Sequence, residues 1–286
     1  MADKVKLAMI QLCGCSGCHM SLLDLHEKLL DVLPNLEIVY APIIADAKEI
    51  PECDVVCIEG GARNEHEEHL IKEFREKAKI VVAWGTCAVY GGIPGLGNLY
   101  SKDDLEKTVY NTATTDNPGE LPSEEIPELL DVVKPVPEII DVDLILPGCP
   151  PKSEMNAEAI AALLEGRELQ LPTKIVCDEC PREKKGTYPE KFKRTFEGTP
   201  DPDRCLFEQG YTCIGMATRV GCGAMCPNAG VPCRGCYGKT DAVLDQGAAA
   251  ANTYACSGDA ALEIPDKAAL FNRFTLPAAL ISKKIE

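Results

Sequence analysis

Twelve of the sixteen cysteines in this 286-residue chain fall into a pattern that buried structural cysteines do not make. Cys15, Cys18, Cys87 and Cys149 lie in glycine-rich turns directly after apolar runs of the first half. Cys177, Cys180, Cys205, Cys213, Cys222, Cys226, Cys233 and Cys236 crowd one stretch of the second half. Four thiolates hold one cubane iron–sulfur cluster, so twelve make three sets. Such sets force distant turns together, and the chemistry they imply is electron transfer.

Composition narrows the setting. Met1-Ala2-Asp3-Lys4-Val5-Lys6 runs straight into a strand-like segment, with no apolar signal and no twin-arginine pair, which predicts a cytoplasmic protein. Cytosolic thiols stay reduced, so a disulfide framework is not expected. No apolar stretch approaches the roughly 20 residues of a membrane helix. A net charge of −16 argues against nucleic acid, whose phosphates reward basic patches. A solvated acidic surface accounts for that charge equally well.

The first half alternates strand-like and helical segments. Val5 to Leu12, Glu37 to Ala41, Asp54 to Glu59, Lys79 to Trp84 and Leu144 to Leu146 read as strands. Leu22, Leu25, Leu29 and Leu33 share the spacing of one helix face. A second helix opens at Asn64, with Leu70, Ile71, Phe74 and Ala78 inward. Ser153 can cap a third, carrying Ile160, Leu163 and Leu164 and stopping at Gly166. Alternation of this kind predicts an α/β fold with a doubly wound parallel sheet.

Ligands of such sheets bind beyond the carboxyl ends of the strands. Cys15 and Cys18 follow the first strand, Cys87 the fourth and Cys149 the fifth, so all four belong on one rim. Gly14, Gly17, Gly85 and Gly148 flank them, letting backbone N–H groups approach cluster sulfurs. Cys53, Cys57 and Cys256 read instead as small buried hydrophobes. Cys13, at the end of the first strand, competes with Cys15 for the cluster or points into packing. Glu59 ends the third strand on the same rim and reads as a residue behind the ligands. His19 either donates toward the cluster or faces solvent, and His66 and His69 read as solvated surface.

Two stretches resist a regular reading. Ser101 to Val142 is proline- and acid-rich, predicting a long, weakly structured insertion of functional or partner-binding character. Gly91 to Gly97 lacks the G-x-G-x-x-G order and is not a dinucleotide loop. Between Cys177 and Tyr237 apolar residues are sparse, so bound metal is expected to supply folding energy. Structural zinc suits the paired cysteines there nearly as well as clusters do. It leaves the first four unexplained.

Cys15-Ser16-Gly17-Cys18-His19-Met20-Ser21-Leu22-Leu23, Ile58-Glu59-Gly60, Gly85-Thr86-Cys87-Ala88 and Pro147-Gly148-Cys149-Pro150-Pro151 resemble the small subunit of nickel–iron hydrogenases. That resemblance covers nearly the whole chain. It implies a flavodoxin-like domain over 1–170, whose Cys15, Cys18, Cys87 and Cys149 hold a proximal 4Fe–4S cluster. It also implies a small, irregular, ferredoxin-like iron–sulfur domain over 171–286. Cys177, Cys180, Cys205 and Cys213 match the family's distal ligands, with Cys177 in place of a histidine. Cys222, Cys233 and Cys236 match the three ligands of a medial 3Fe–4S centre, and Cys226 adds a fourth, implying 4Fe–4S.

Cys233-Arg234-Gly235-Cys236-Tyr237-Gly238 and Phe274 to Leu280 further resemble the gamma subunits of coenzyme F420-reducing hydrogenases of methanogenic archaea. By that resemblance the chain relays electrons from a nickel–iron large subunit to an FAD subunit that reduces F420. A higher oligomer of the heterotrimer is implied. The chain lacks the nickel-binding motifs of the large subunit, so it is not the hydrogen-splitting site. Three other readings stand beside this one: a heterodisulfide-reductase-linked hydrogenase subunit, a zinc-stabilised interaction protein and a free polyferredoxin.

Overall fold

Three apolar runs build the centre of the first unit. Val5–Gln11 (β1), Cys53–Glu59 (β3) and Ala78–Trp84 (β5) are almost continuously apolar and mostly buried, as strands covered on both faces must be. With Leu36–Tyr40 (β2) and Leu144–Leu146 (β7) they form an all-parallel five-stranded sheet, ordered β2-β1-β3-β5-β7. Ala62–Asn64 (β4) and Leu129–Lys134 (β6) pair antiparallel in a separate ribbon. The computed structural model describes residues 4–44, 49–114, 116, 119 and 121–282. Met1 to Asp3, and residues 115, 117, 118 and 120 of the Ser101–Val142 stretch, lie outside them.

Register sets the rim. Gln11 pairs with Glu59, Glu59 with Trp84, and Trp84 with Leu146, so four strands end on one level. The chain leaves each strand there, and the loops after β1, β5 and β7 carry the cysteines.

Helices cover the sheet where the apolar spacing places them. Glu65–Lys77 starts in a capping box: Asn64 accepts from the Glu67 N–H, while the Glu67 carboxylate accepts from the Asn64 N–H. Its Ile71 and Phe74 are fully buried, each contributing about 1.5–3 kcal/mol. Ala78, expected on that helix, opens β5 instead. Ser153–Glu165 ends at Gly166 in the left-handed conformation, but Lys152, not Ser153, occupies its N-cap position.

Two expectations fail for local reasons. The Leu22–Leu33 helix is broken, because His26 adopts a φ of 52° and the chain continues in short helical turns. Ser101 to Val142 is not structureless: it holds helix Lys102–Tyr110, capped by Ser101, and strand β6.

The chain divides after Leu169 into two compact units. Among the described residues of the second, strand pairing is confined to isolated bridges such as Ile175–Arg219 and Lys193–Tyr211. It nevertheless has an apolar core, although apolar residues are sparse between Cys177 and Tyr237, where bound metal is expected to supply folding energy. Leu206, Phe207, Tyr211 and Ile214 pack with Tyr254, Ile264 and Phe271 from beyond the cysteine-rich stretch. Tyr254 stacks on Phe192 at 4.9 Å and meets Phe207 edge-on at 5.1 Å. No helix among the described residues is long and apolar enough to cross a membrane.

Candidate iron–sulfur centres

Each cysteine of the first set is held by a specific backbone feature at the rim. Ser16, at a φ of 64°, turns the chain into helix Gly17–Leu23, which begins around Cys18. Gly85, at a φ of 84°, does the same for helix Thr86–Tyr90, which carries Cys87. Thr86 and Gly148 lock the two remaining loops together. The Thr86 N–H donates to the Gly148 carbonyl and the Gly148 N–H to the Thr86 hydroxyl, both at 2.8 Å. The Ser21 hydroxyl donates to the Pro151 carbonyl, tying the first helix to the Cys149 loop.

The four thiols converge. Burial pushes Cys87 up to about 12, with the charges of Cys149 and Cys15 adding to it. Burial raises Cys149 to about 11, with Cys15 and Glu59 behind it. Cys18 is raised further by burial, then by Glu59, Cys87, Cys149 and Cys15. Four thiolates cannot coexist there without a cation to balance them, and ligand thiols lose their protons to the metal they bind. Space is left at the sulfurs: a Cβ on Gly85 or Gly92 would overlap Cys18 Sγ or Cys87 Sγ, and one on Gly17 would lie 3.2 Å from Cys15 Sγ.

Glu59 and His19 close the site from behind. Glu59 is 2 % exposed and His19 3 %, so His19 does not face solvent. His19 Nδ1 is 2.5 Å from Glu59 Oε2, which also accepts the His19 N–H at 3.2 Å. Glu59 Oε1 accepts the Cys18 N–H at 3.4 Å. The His19 ring leans on Trp84 at 4.9 Å, and Trp84 donates to Asn156 at 2.9 Å. Cys13 bridges to Gly61 instead, its thiol raised to about 11 chiefly by burial. Cys53 is buried, whereas Cys256 is exposed and is no core residue. His66 and His69 are exposed on the Glu65–Lys77 helix.

In the second unit Cys177, Cys180, Cys205 and Cys213 feel one another's charge. Burial sends Cys177 up to about 12, and Lys184 partly opposes the effect of the three other thiols. Cys213 rises to about 11 by burial, moderated by the N–H groups of Gly215 and Cys233. Burial and Cys213 raise Cys233, next to Cys236, while Cys226 is raised by burial and Cys222. Arg234 faces Cys226 from between Cys233 and Cys236. The Cys213–Cys233 coupling makes the two sets neighbours.

Residues outside the cysteine pattern hold these loops. Buried Arg182 donates to the carbonyls of Pro227, Asp201 and Arg204. Gln246 Nε2 donates to the Gly235 carbonyl and the Thr218 hydroxyl, and its Oε1 accepts from Thr275. Neither carries a motif that spacing could reveal. Each cysteine set supplies four thiolates, the donor set of a cubane iron–sulfur cluster.

The chain is similar to known proteins over most of its length. Residues 15–163 match the family model for the NADH ubiquinone oxidoreductase 20 Kd subunit. The chain is 76 % identical, over all of both chains, to a subunit of the F420-non-reducing hydrogenase vhu of Methanococcus voltae. It is 71 % identical to the corresponding vhu hydrogenase subunit of Methanocaldococcus jannaschii, over 98 % of each. The chain belongs to the hydrogenase small-subunit family. A chain of a solved NAD+-reducing [NiFe]-hydrogenase is 37 % identical, with a TM-score of 0.57, covering 59 % of this chain and 96 % of that one. The flavodoxin-like first unit and the electron-transfer role of a hydrogenase small subunit follow. The expectation of an F420-reducing enzyme is overturned, since both relatives are named for not reducing F420. The FAD partner that reduces F420 falls with it. That expectation rested on the Cys233–Gly238 loop and the Phe274–Leu280 tail, and both pack within the second unit: Gln246 holds the Gly235 carbonyl, and Phe274 and Leu276 are buried.

Proposed function

We propose that this chain is the electron-relaying small subunit of a cytoplasmic nickel–iron hydrogenase of the F420-non-reducing type, linked to a heterodisulfide reductase. The observation that carries the reading is the convergence of Cys15, Cys18, Cys87 and Cys149 on one rim, where glycines leave their sulfurs room. That set would hold a proximal 4Fe–4S cluster and face the large subunit that bears nickel. Residues 171–286 would hold two more: a medial cluster on Cys222, Cys226, Cys233 and Cys236, and a distal cluster on Cys177, Cys180, Cys205 and Cys213. Bound clusters supply one-electron redox chemistry. The chain's own residues fix the thiols, exclude water behind Cys18 and offer N–H groups to the sulfurs.

The test is anaerobic purification with the native partners. About twelve iron and as much acid-labile sulfide per chain are expected, from three four-iron clusters. Hydrogen should reduce a heterodisulfide-reductase partner and leave coenzyme F420 oxidised. Stoichiometric zinc with little iron would refute the cluster assignment, and F420 reduction would refute the acceptor.

A further inference from the structure

The second unit contains a cavity of about 570 Å³ beside the loop of Cys233 and Cys236. Five cationic side chains line it, among them Lys193, Arg194, Arg234 and Arg273, against three carboxylates. This basic excess sits in a chain whose net charge is −16. Two of the three carboxylates are already engaged by backbone. Glu197 accepts the Arg194 N–H at 2.6 Å, and Asp266 accepts the Ala269 N–H at 3.2 Å.

Among the described residues neither inner arginine forms an ion pair within 4 Å. Arg234 reaches only neutral hydroxyls, Thr195 at 2.8 Å and Thr212 at 3.2 Å. Arg273 Nε is buried without a hydrogen-bond partner. Burial, and then the like charge of Arg234, pull the Arg273 guanidinium below its ordinary range, with Asp266 opposing them. A buried cationic donor left unmatched, as Arg273 Nε is, is expensive, and folding alone gives no reason to set a second guanidinium beside it in the same cavity. On the rim Phe196 is 81 % exposed. Arginine beside an exposed aromatic ring is the composition of interface anchors.

We propose that this cavity is a docking site for an acidic segment of a protein partner, whose carboxylates pair with Arg273 and Arg234. Guanidinium forks match carboxylates two bonds at a time. An apolar side chain of the same segment would cover Phe196. A protein segment is favoured over a small anion because Phe196 and Arg194 carry the recognition surface onto the exposed rim. Since Arg234 stands between Cys233 and Cys236, the segment would lie beside the medial cluster, a clause that rests on the function proposed above.

The experiment uses the native complex and a zero-length carbodiimide, which joins amines only to carboxylates already in ion-pair reach. Peptide sequencing should find Lys191 or Lys193 joined to an aspartate or glutamate of another subunit. Arg273→Glu should weaken retention of that subunit about tenfold in salt titrations, and Arg273→Lys should largely keep it. Arg194→Glu, on the exposed rim, gives the same reading if Arg273→Glu does not fold. Cross-links confined to this chain, or salt release unchanged in both charge reversals, would overturn the proposal. So would saturable binding of inorganic phosphate in the cavity without any cross-link between chains. Iron content and hydrogen-dependent dye reduction of the unmodified complex report separately on the electron-transfer reading.

Discussion

His19 Nδ1 lies 2.5 Å from Oε2 of Glu59, with both side chains shut away from solvent behind Cys18. The carboxylate also accepts two N–H groups from the helix that begins there, so one side chain positions both the histidine and the cysteine. Glu59→Ala strips three buried donors of their acceptor. A buried donor left without its acceptor costs about 1–3 kcal/mol. Denaturant unfolding of the purified complex should show a loss of that order, together with loss of iron from the first unit. Glu59→Gln keeps an acceptor oxygen and should lose less than half as much. Equal losses in the two variants would show that the carboxylate charge, not its accepting geometry, matters.

Gly85 offers a test with its own control. It adopts a φ of 84°, and a Cβ there would overlap Cys18 Sγ. Gly166 has a φ of 67° with nothing within 4 Å of a new Cβ. Both alanine variants carry backbone strain of about 1–2 kcal/mol. Only Gly85→Ala should also cost about four iron atoms per chain, one cluster's worth. Iron analysis of the two proteins decides it, and equal iron contents would mean that the rim is not crowded at Cys18.

The apolar periodicity of the strands was legible because burial on both faces leaves long unbroken runs, and Val5 to Trp84 reads cleanly. The common rim followed, since parallel strands in register must end together, as Gln11, Glu59, Trp84 and Leu146 do. Tertiary partnerships were not legible. The core of the second unit looked absent because Phe271 and Tyr254 lie outside the cysteine-rich stretch that they fill. His26 broke a helix that leucine spacing alone predicts, through a backbone angle no side-chain pattern encodes. Gln246 and Arg182 act through side-chain hydrogen bonds to distant loops, which leave no periodic trace.

Asp245 joins two segments of the second unit. Its Oδ1 accepts the Ala248 N–H at 2.7 Å, capping helix Gln246–Ala255, and its Oδ2 accepts the Leu280 N–H at 2.7 Å. Asp245→Ala should destabilise the unit by about 2 kcal/mol, the upper range for a lost cap, because the tail contact goes as well. Asp245→Asn retains one acceptor and should recover part of the loss. Thermal unfolding followed in the aromatic region, where Tyr254 and Phe271 report, measures both.

In the proposed medial centre Cys226 would be the fourth ligand, the one that makes it a four-iron rather than a three-iron cluster. It is exposed, lies in the helical turn Met225–Asn228 and couples to Cys222. Cys226→Pro should leave three thiolates and open one corner of the cubane. The oxidised variant should then show a three-iron paramagnetic signal absent from the parent. An unchanged cluster type would remove Cys226 from the ligand set and leave the medial centre with another fourth donor.

Cys205 tests whether the second unit lies on the electron path. It is half-buried, and its charge is felt by both Cys177 and Cys213. Cys205→Ser replaces a soft thiolate by a hydroxyl that binds iron poorly at neutral pH, so the distal set should lose its cluster. Under the proposed function hydrogen activation would need only a nickel site on the partner and should persist, seen as hydrogen–deuterium exchange by the complex. Hydrogen-dependent reduction of the heterodisulfide-reductase partner should fall at least about tenfold, because the relay is then cut on the acceptor side. Full transfer in a variant shown by iron analysis to lack that cluster would place Cys177, Cys180, Cys205 and Cys213 off the path, leaving them a folding role beside Phe207 and Ile214.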